Sequence, residues 1–227
     1  MENLKEFKEG LFSVQDEAAG LTAVILNPQK QDKILDACSA PGGKTTYLAQ
    51  IVENDAEIEA WDIHTHRTKL VEETAKRLGI DIIKTKVKDA TIYNEENCEK
   101  FDKILLDVPC LGIGVLKRKP DIKWQRKRED IEGIAKIQMQ ILEVCSKYLK
   151  SKGELVYSTC SILKEENENI IRKFLDKNPN FSIKEIELPK ASKNEKNYFE
   201  KFLLDGFLQV YQNTDTDGFF ICKLTKK

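Results

Sequence analysis

The 227-residue chain is 41% hydrophobic and 33% charged, with a formal net charge of −1. That balance suits one soluble globular domain able to bury a core, and it removes overall charge as a sign of a nucleic-acid partner; only local patches could supply one. No stretch approaches the ~18 apolar residues of a membrane span, and the opening MENLKEFKEG lacks a signal-peptide core, so a cytoplasmic protein with no membrane partner is expected.

Residues 1–30 read as a lead-in carrying one covering helix, from Asp16 to Leu26. Five apolar runs then read as buried parallel strands: KILDAC (33–38), EIEAWD (57–62), DIIKTKV (81–87), FDKILLDV (101–108) and GELVYSTC (153–160). Helical patterns lie between them, over Lys44 to Val52, His66 to Leu78 and Ile131 to Leu149; Leu70, Val71, Thr74 and Leu78 give the second one apolar face. EENENIIRKFLDKNP reads as a helix closed by Pro179. Three strand candidates follow, at 181–188, 206–212 and 218–224, with a charged loop over 189–204 and a turn-like NTDTD between the last two. Alternation of this kind predicts an α/β fold, a mostly parallel doubly wound sheet ending in an antiparallel C-terminal strand pair, within a single domain over 1–227.

Pro41, Gly42 and Gly43 stand where the first strand turns into a helix, so backbone can approach a ligand there and free N–H groups face it. Asp36, Asp62, Asp89 and Asp107 mark four strand ends, where ligands bind in such sheets. An acidic rim suits a neutral or cationic nucleoside better than a polyphosphate. Six cysteines (Cys38, Cys98, Cys110, Cys145, Cys160 and Cys222) lack any CxxC pair, which disfavours disulfides and structural zinc; no metal is expected, at His64 and His66 included. Cys98, Cys145 and Cys222 read as packing. Cys110 (DVPC) and Cys160 (STCS) end adjacent strands in polar, sharply turning surroundings, which points to chemistry.

CSAPGGKT, DVPC followed by PDIKW, STCS followed by EEN, and the closing DGFF together resemble the Sun/Fmu family of RNA cytosine-C5 methyltransferases, in the family's order and over essentially the whole chain. The resemblance implies a Rossmann-like class I methyltransferase fold that uses S-adenosyl-L-methionine. Cys38, Ser39, Ala40, Pro41, Gly42, Gly43 and Lys44 would cradle the methionine end of the cofactor. Asp62 would hold its ribose, Asp89 would lie at the adenine, and Asp107 would border cofactor and target base. Cys160 would be the nucleophile and Cys110 would assist product release. Ser39, Leu111, Lys117 and Lys119 depart from the family's usual Ala, small residue, Arg and His. The chain opens at the catalytic domain's own lead-in, so no separate RNA-binding domain is expected.

The chemistry explains the thiols. Cytosine carbon 5 is a poor nucleophile until a thiolate adds at carbon 6, and a free thiol of pKa about 8.5 is only a few per cent ionised near neutrality. A base inside a duplex is out of reach, so the substrate would be RNA, ribosomal by the resemblance, with a single-stranded or extruded cytosine. In the basic run LKRKPDIKWQRKRED (116–130), Arg118, Lys119 and Lys123 are expected at RNA, and Trp124 is expected to pack against the sheet. Two alternatives stay open: a DNA cytosine-C5 methyltransferase attacking through Cys110, and a non-catalytic RNA-binding or assembly factor.

Overall fold

The structure, a computed structural model, describes residues 3–188, 198–213 and 215–227. A short helix Lys5–Lys8 (α1) precedes Glu17–Leu26 (α2), whose N-terminus is capped by Asp16: its carboxylate accepts from the backbone N–H of Ala18 at 3.0 Å. There follow β1 (Lys33–Asp36), α3 (Gly43–Ile51), β2 (Glu57–Asp62), α4 (Thr65–Arg77), β3 (Ile83–Val87) and β4 (Phe101–Asp107). The second half holds α5 (Ile122–Gln125), α6 (Asp130–Cys145), β5 (Leu149–Thr159), α7 (Glu168–Lys177), β6 (Phe181–Ile183), β7 (Leu203–Leu204), β8 (Phe207–Val210) and β9 (Phe219–Lys226).

One sheet carries the fold, in the order β3-β2-β1-β4-β5-β9-β8-β7, with β6 also paired to β9. The first five of these are parallel, and β9 enters antiparallel between β5 and β8. Side chains alternate across the sheet and are buried on both faces, as a parallel sheet requires. Ile34, Leu105, Val156 and Ile221 face α2, α3 and α4; Leu35, Leu106, Tyr157 and Phe220 face α6 and α7. Trp61, at the end of β2, is clasped edge-on by Phe101 and Tyr148. No helix among the described residues is long and apolar enough to cross a membrane.

Three boundaries differ from the sequence reading. The helix expected through Leu149 stops at Cys145, because Tyr148 and Leu149 are drawn into the core and β5 begins there. A bulge absorbs the change: Phe101 pairs with Leu149 but Lys103 with Glu154. The strand expected over 181–188 is cut at Ile183, since β9 offers that edge only at Leu224–Lys226 and gives the next stretch to β8. β8 and β9 form the expected antiparallel C-terminal pair, with the two-residue β7 beyond β8 and β9 interior to the sheet. Residues 189–197 of the expected charged loop lie outside the described residues, and 198–204 form a 3-10 turn (Tyr198–Phe202) and β7.

At the far end of the sheet, buried Glu154 takes Lys103 at 2.5 Å, Lys223 at 3.0 Å, and Lys184. Burial is the largest influence and opposes ionisation, yet hydrogen bonds from the three lysines together hold the carboxyl at about 2. Lys223 is itself only 8% exposed. Glu154→Ala leaves that ammonium buried and unpaired, and is expected to cost about 3–5 kcal/mol, on the order of 10 °C in Tm by thermal unfolding.

Candidate active site

The strand order reverses direction of growth between β1 and β4, and the crevice at such a switch point lies beyond the strands' carboxyl ends. A cavity of about 570 Å³ opens there. Cys38, Ala40, Asp62, Asp89, Asp107, Cys110 and Cys160 line it, seven of the residues singled out from the sequence, together with Ile63, His64, Arg67, Lys88, Ile137 and Gln140.

The turn after β1 supports this wall from behind. Ser39 is buried, its hydroxyl donating to the Trp61 carbonyl at 2.9 Å, which ties the loop to the end of β2. Gly42 sits at φ +107°, and a Cβ there would come within 3.1 Å of the Val71 backbone, so the loop packs on α4 only without a side chain. Gly43 opens α3, whose Thr45 hydroxyl donates to Asp36 at 2.7 Å. Burial pushes the Asp36 carboxyl up to about 7 against the Thr45 hydrogen bond. Asp62 accepts from the His64 backbone N–H at 3.1 Å and pairs with Arg67 at 3.3 Å. Asp89 accepts from both the N–H and hydroxyl of Thr91. Pro41, Gly42, Gly43 and Lys44 thus stand behind the cavity rather than on its surface.

The two thiols meet. Cys110 Sγ and Cys160 Sγ are 2.9 Å apart. Cys160 is held below the ordinary thiol range, first by a hydrogen bond from Cys110; burial and the Asp107 charge oppose this, and the Lys44 ammonium supports it. Cys110 is pushed well up by the same hydrogen bond and by burial. The pair is therefore polarised toward a Cys160 thiolate and a Cys110 thiol. Asp107 is fixed between Lys44 Nζ at 2.7 Å and the Ser158 hydroxyl at 2.9 Å. Burial works to lower the Lys44 pKa, but Asp107 outweighs it and the ammonium is kept. Burial pushes the Cys38 thiol far up, in keeping with a packing role beside the ligand.

Glu166 was not singled out by the sequence reading, although EEN after STCS was its visible trace. The side chain is fully buried. One oxygen accepts from the Leu111 N–H at 3.0 Å and from Gln138 at 2.9 Å, the other from the Ser161 hydroxyl at 2.6 Å. It thereby binds the residue after Cys110 to the residue after Cys160. Asn167 adds hydrogen bonds to the Thr159 hydroxyl and the Ser161 carbonyl. Gly114 donates to the Cys160 carbonyl at 3.0 Å, and a Cβ on it would lie 2.1 Å from the Gly218 carbonyl; a Cβ on Gly218, the glycine of the closing DGFF, would in turn come within 2.9 Å of the Gly114 Cα.

The basic run divides. Arg118 spends its charge on Asp16 at 2.7 Å and Asp217 at 2.9 Å, so it staples three distant segments. Lys119 and Lys123 are exposed. Trp124 overturns its expected packing: it is 81% exposed, because Ile122 takes the inward position of α5.

A doubly wound sheet of this order, with a glycine turn after β1 and acids at the ends of β2 and beyond β3, defines a Rossmann-like methyltransferase domain. The family model described as 16S rRNA methyltransferase RsmB/F matches residues 23–225. A probable ribosomal RNA small subunit methyltransferase B of Bacillus subtilis is 41% identical over 224 residues, 97% of this chain and 49% of its own length. The ribosomal RNA small subunit methyltransferase B of Salmonella dublin is 40% identical over 227 residues, 99% of this chain and 49% of its own. NSun6 from Pyrococcus horikoshii, solved with SFG, superposes at TM-score 0.84 with 34% identity, covering 100% of this chain and 56% of that one. A methyltransferase homologue from the same organism gives 0.82 at 33% identity, covering 100% and 72%. The chain belongs to the RsmB/F family, and it spans about half the length of the curated relatives it matches.

Two outcomes test the site's physics. Peptide-resolved iodoacetamide alkylation of Cys160 should move to higher pH in Cys110→Ala, which removes the largest stabilising contact, and by less in Lys44→Met. Glu166→Ala strands three buried donors and should lower stability by about 2–4 kcal/mol on thermal unfolding.

Proposed function

We propose that this chain is the catalytic part of an S-adenosylmethionine-dependent RNA cytosine-C5 methyltransferase acting on small-subunit ribosomal RNA in the cytoplasm. The observation that carries the reading is the 2.9 Å approach of Cys110 and Cys160 at the wall of the acid-lined cavity, with Cys160 the more acidic thiol. A small-molecule methyltransferase has no use for such a pair. The family, the relatives' rRNA methyltransferase names, and SFG, an S-adenosylmethionine analogue, in the NSun6 relative support substrate class and cofactor.

The residues present fit that cofactor. The cavity volume lies in the range of small-molecule sites. Of its neighbouring cations, Arg67 and Lys44 are already paired to Asp62 and Asp107 and Lys88 lies over the Trp61 ring, so a polyphosphate would meet mainly carboxylates while hydroxyls and amines would find acceptors. Asp62 would hold the ribose hydroxyls, Asp89 the adenine amine, and Ile63 with Ile137, both half-exposed on the cavity wall, would cover the base. Ser39 and Gly42 keep the turn of residues 38–44 against the methionine end.

When bound, S-adenosylmethionine supplies an electrophilic methyl group. The protein supplies the nucleophile and its release. Cys160 thiolate adds to cytosine C6, breaking the C5–C6 π bond and giving C5 enamine character. Asp107, held by Lys44 and Ser158, faces both ligands and fixes the ring's orientation. After transfer the C5 proton passes to water beside Cys110, its electron pair re-forms the double bond, and the C6–S bond breaks. The Cys110 thiol, 2.9 Å away, hydrogen-bonds the departing thiolate. In the DNA-type reading Cys110 would attack instead; the Lys44 ammonium, whose charge favours a Cys160 thiolate, supports Cys160.

With small-subunit RNA and cofactor, wild type should introduce 5-methylcytosine detectable by bisulfite mapping. Cys160→Ala should lose activity and form no denaturant-resistant protein–RNA adduct, whereas Cys110→Ala should accumulate one. The reverse pattern would assign attack to Cys110.

A further inference from the structure

Trp124 has the highest exposure of the large hydrophobic side chains among the described residues, and the fold holds it there deliberately. Ile122, two residues earlier, is buried beneath α5, and Arg126 Nε, two residues later, donates to the Leu111 carbonyl at 3.3 Å. Upstream, Arg118 is locked to Asp16 and Asp217. An indole flanked by such anchors and still facing water is a contact surface that the described residues leave largely open. Leu111 follows Cys110 directly, so the platform is joined by one hydrogen bond to the loop that carries a reacting thiol. In the exposed run that carries the ring, Lys119, Lys123, Lys127 and Arg128 outnumber the exposed acids Asp121 and Glu129, and the Lys123 ammonium lies 5.3 Å from the indole centroid. Cations interleaved with an open aromatic face match a single nucleic-acid strand, whose phosphates meet the lysines while an unpaired base covers the ring.

We propose that Trp124 is the stacking platform for an unpaired base of the RNA strand adjacent to the target cytosine, with Lys119, Lys123 and Lys127 on the neighbouring phosphates. The proposal deepens the RNA reading above and rests on it for the identity of the strand. Stacking also gives a physical account of substrate access, because a base seated on Trp124 cannot remain in a duplex stack, and the strand beside it is presented open.

Fluorescence isolates the contact, since the other tryptophan, Trp61, is 1% exposed. Titrating the full chain with a short cytosine-containing single-stranded RNA should quench the solvent-exposed emission, and Trp124→Phe should lose that signal but keep most of the affinity. Trp124→Ala should weaken single-strand binding between about five- and 150-fold, the range for one stacked base. It should leave binding to a fully paired RNA duplex and the salt slope unchanged, with an unaltered Tm. Lys123→Ala should instead lower the salt slope by about one. Equal losses on duplex and single strand, or no loss from Trp124→Ala, would overturn the proposal, as would protection of the indole by a protein partner and not by RNA. Quenching without methyl transfer would leave this contact standing and remove the proposed reaction; methyl transfer without quenching would do the opposite.

Discussion

Everything at the catalytic end of the molecule depends on how β4 and β5 pair. Asp107 stands opposite Ser158 in that parallel ladder, and the Ser158 hydroxyl donates to the Asp107 carboxylate. Because side chains alternate along a strand, a slip of one residue would turn Asp107 toward the opposite face and separate the two loops that carry the thiols. The bulge between Phe101 and Lys103 lies at the other end of the ladder, so the irregular stretch of β5 is absorbed far from the site. From Lys103 to Asp107 the pairing runs unbroken. Two sulfur atoms fifty residues apart in sequence reach 2.9 Å by this means.

Pairing alone would leave the loops free beyond the strand ends, and the buried carboxylate of Glu166 removes that freedom. It accepts from groups on both loops and from Gln138 on α6, so each loop is fixed relative to the other and to a helix of the core. Charge at the site is similarly constrained. Lys44 neutralises Asp107, whose charge would otherwise work fully against a Cys160 thiolate. Asp36 lies close enough to feel Asp107 and is raised to about 7 mainly by burial, which limits the negative charge behind the glycine turn near neutrality. The Asp107 carboxylate that makes the cavity wall acidic would, without Lys44, oppose ionisation of Cys160. The lysine reconciles the two demands.

Much of this was legible in the sequence, and the exceptions have physical reasons. Both-face burial makes continuous apolar runs, so β1, β2 and β4 were located to within two residues. Strand-end acids and the glycine turn announced the cavity because backbone conformation and charge leave local marks. Glu166 did not, since its importance lies in three partners distant in sequence. Trp124 was misplaced because burial within a four-residue helix is decided by which neighbour points inward, and Ile122 does. The ion pairs of Arg118 left no mark in the basic run, because its partners Asp16 and Asp217 stand 102 and 99 residues away. The early end of α6 follows from the bulged start of β5, a pairing that no local pattern encodes.

The Arg118 staple bears on how chemistry and substrate recognition are joined. Asp16 caps α2 through one oxygen and receives Arg118 and the Asp217 backbone N–H through the other. Asp217 precedes Gly218, which hydrogen-bonds Gly114, which in turn hydrogen-bonds the Cys160 carbonyl. A continuous chain of contacts thus runs from the helix cap of the lead-in, through the basic segment, to the backbone of Cys160. The basic segment is consequently no free arm: Arg118 ties its start to the α2 cap and to Asp217 just before β9, while its charged side chains from Lys119 to Arg128 face solvent. Displacing Asp217 would therefore disturb both the Arg118 staple and the hydrogen bonds that run through Gly218 and Gly114 to the Cys160 carbonyl.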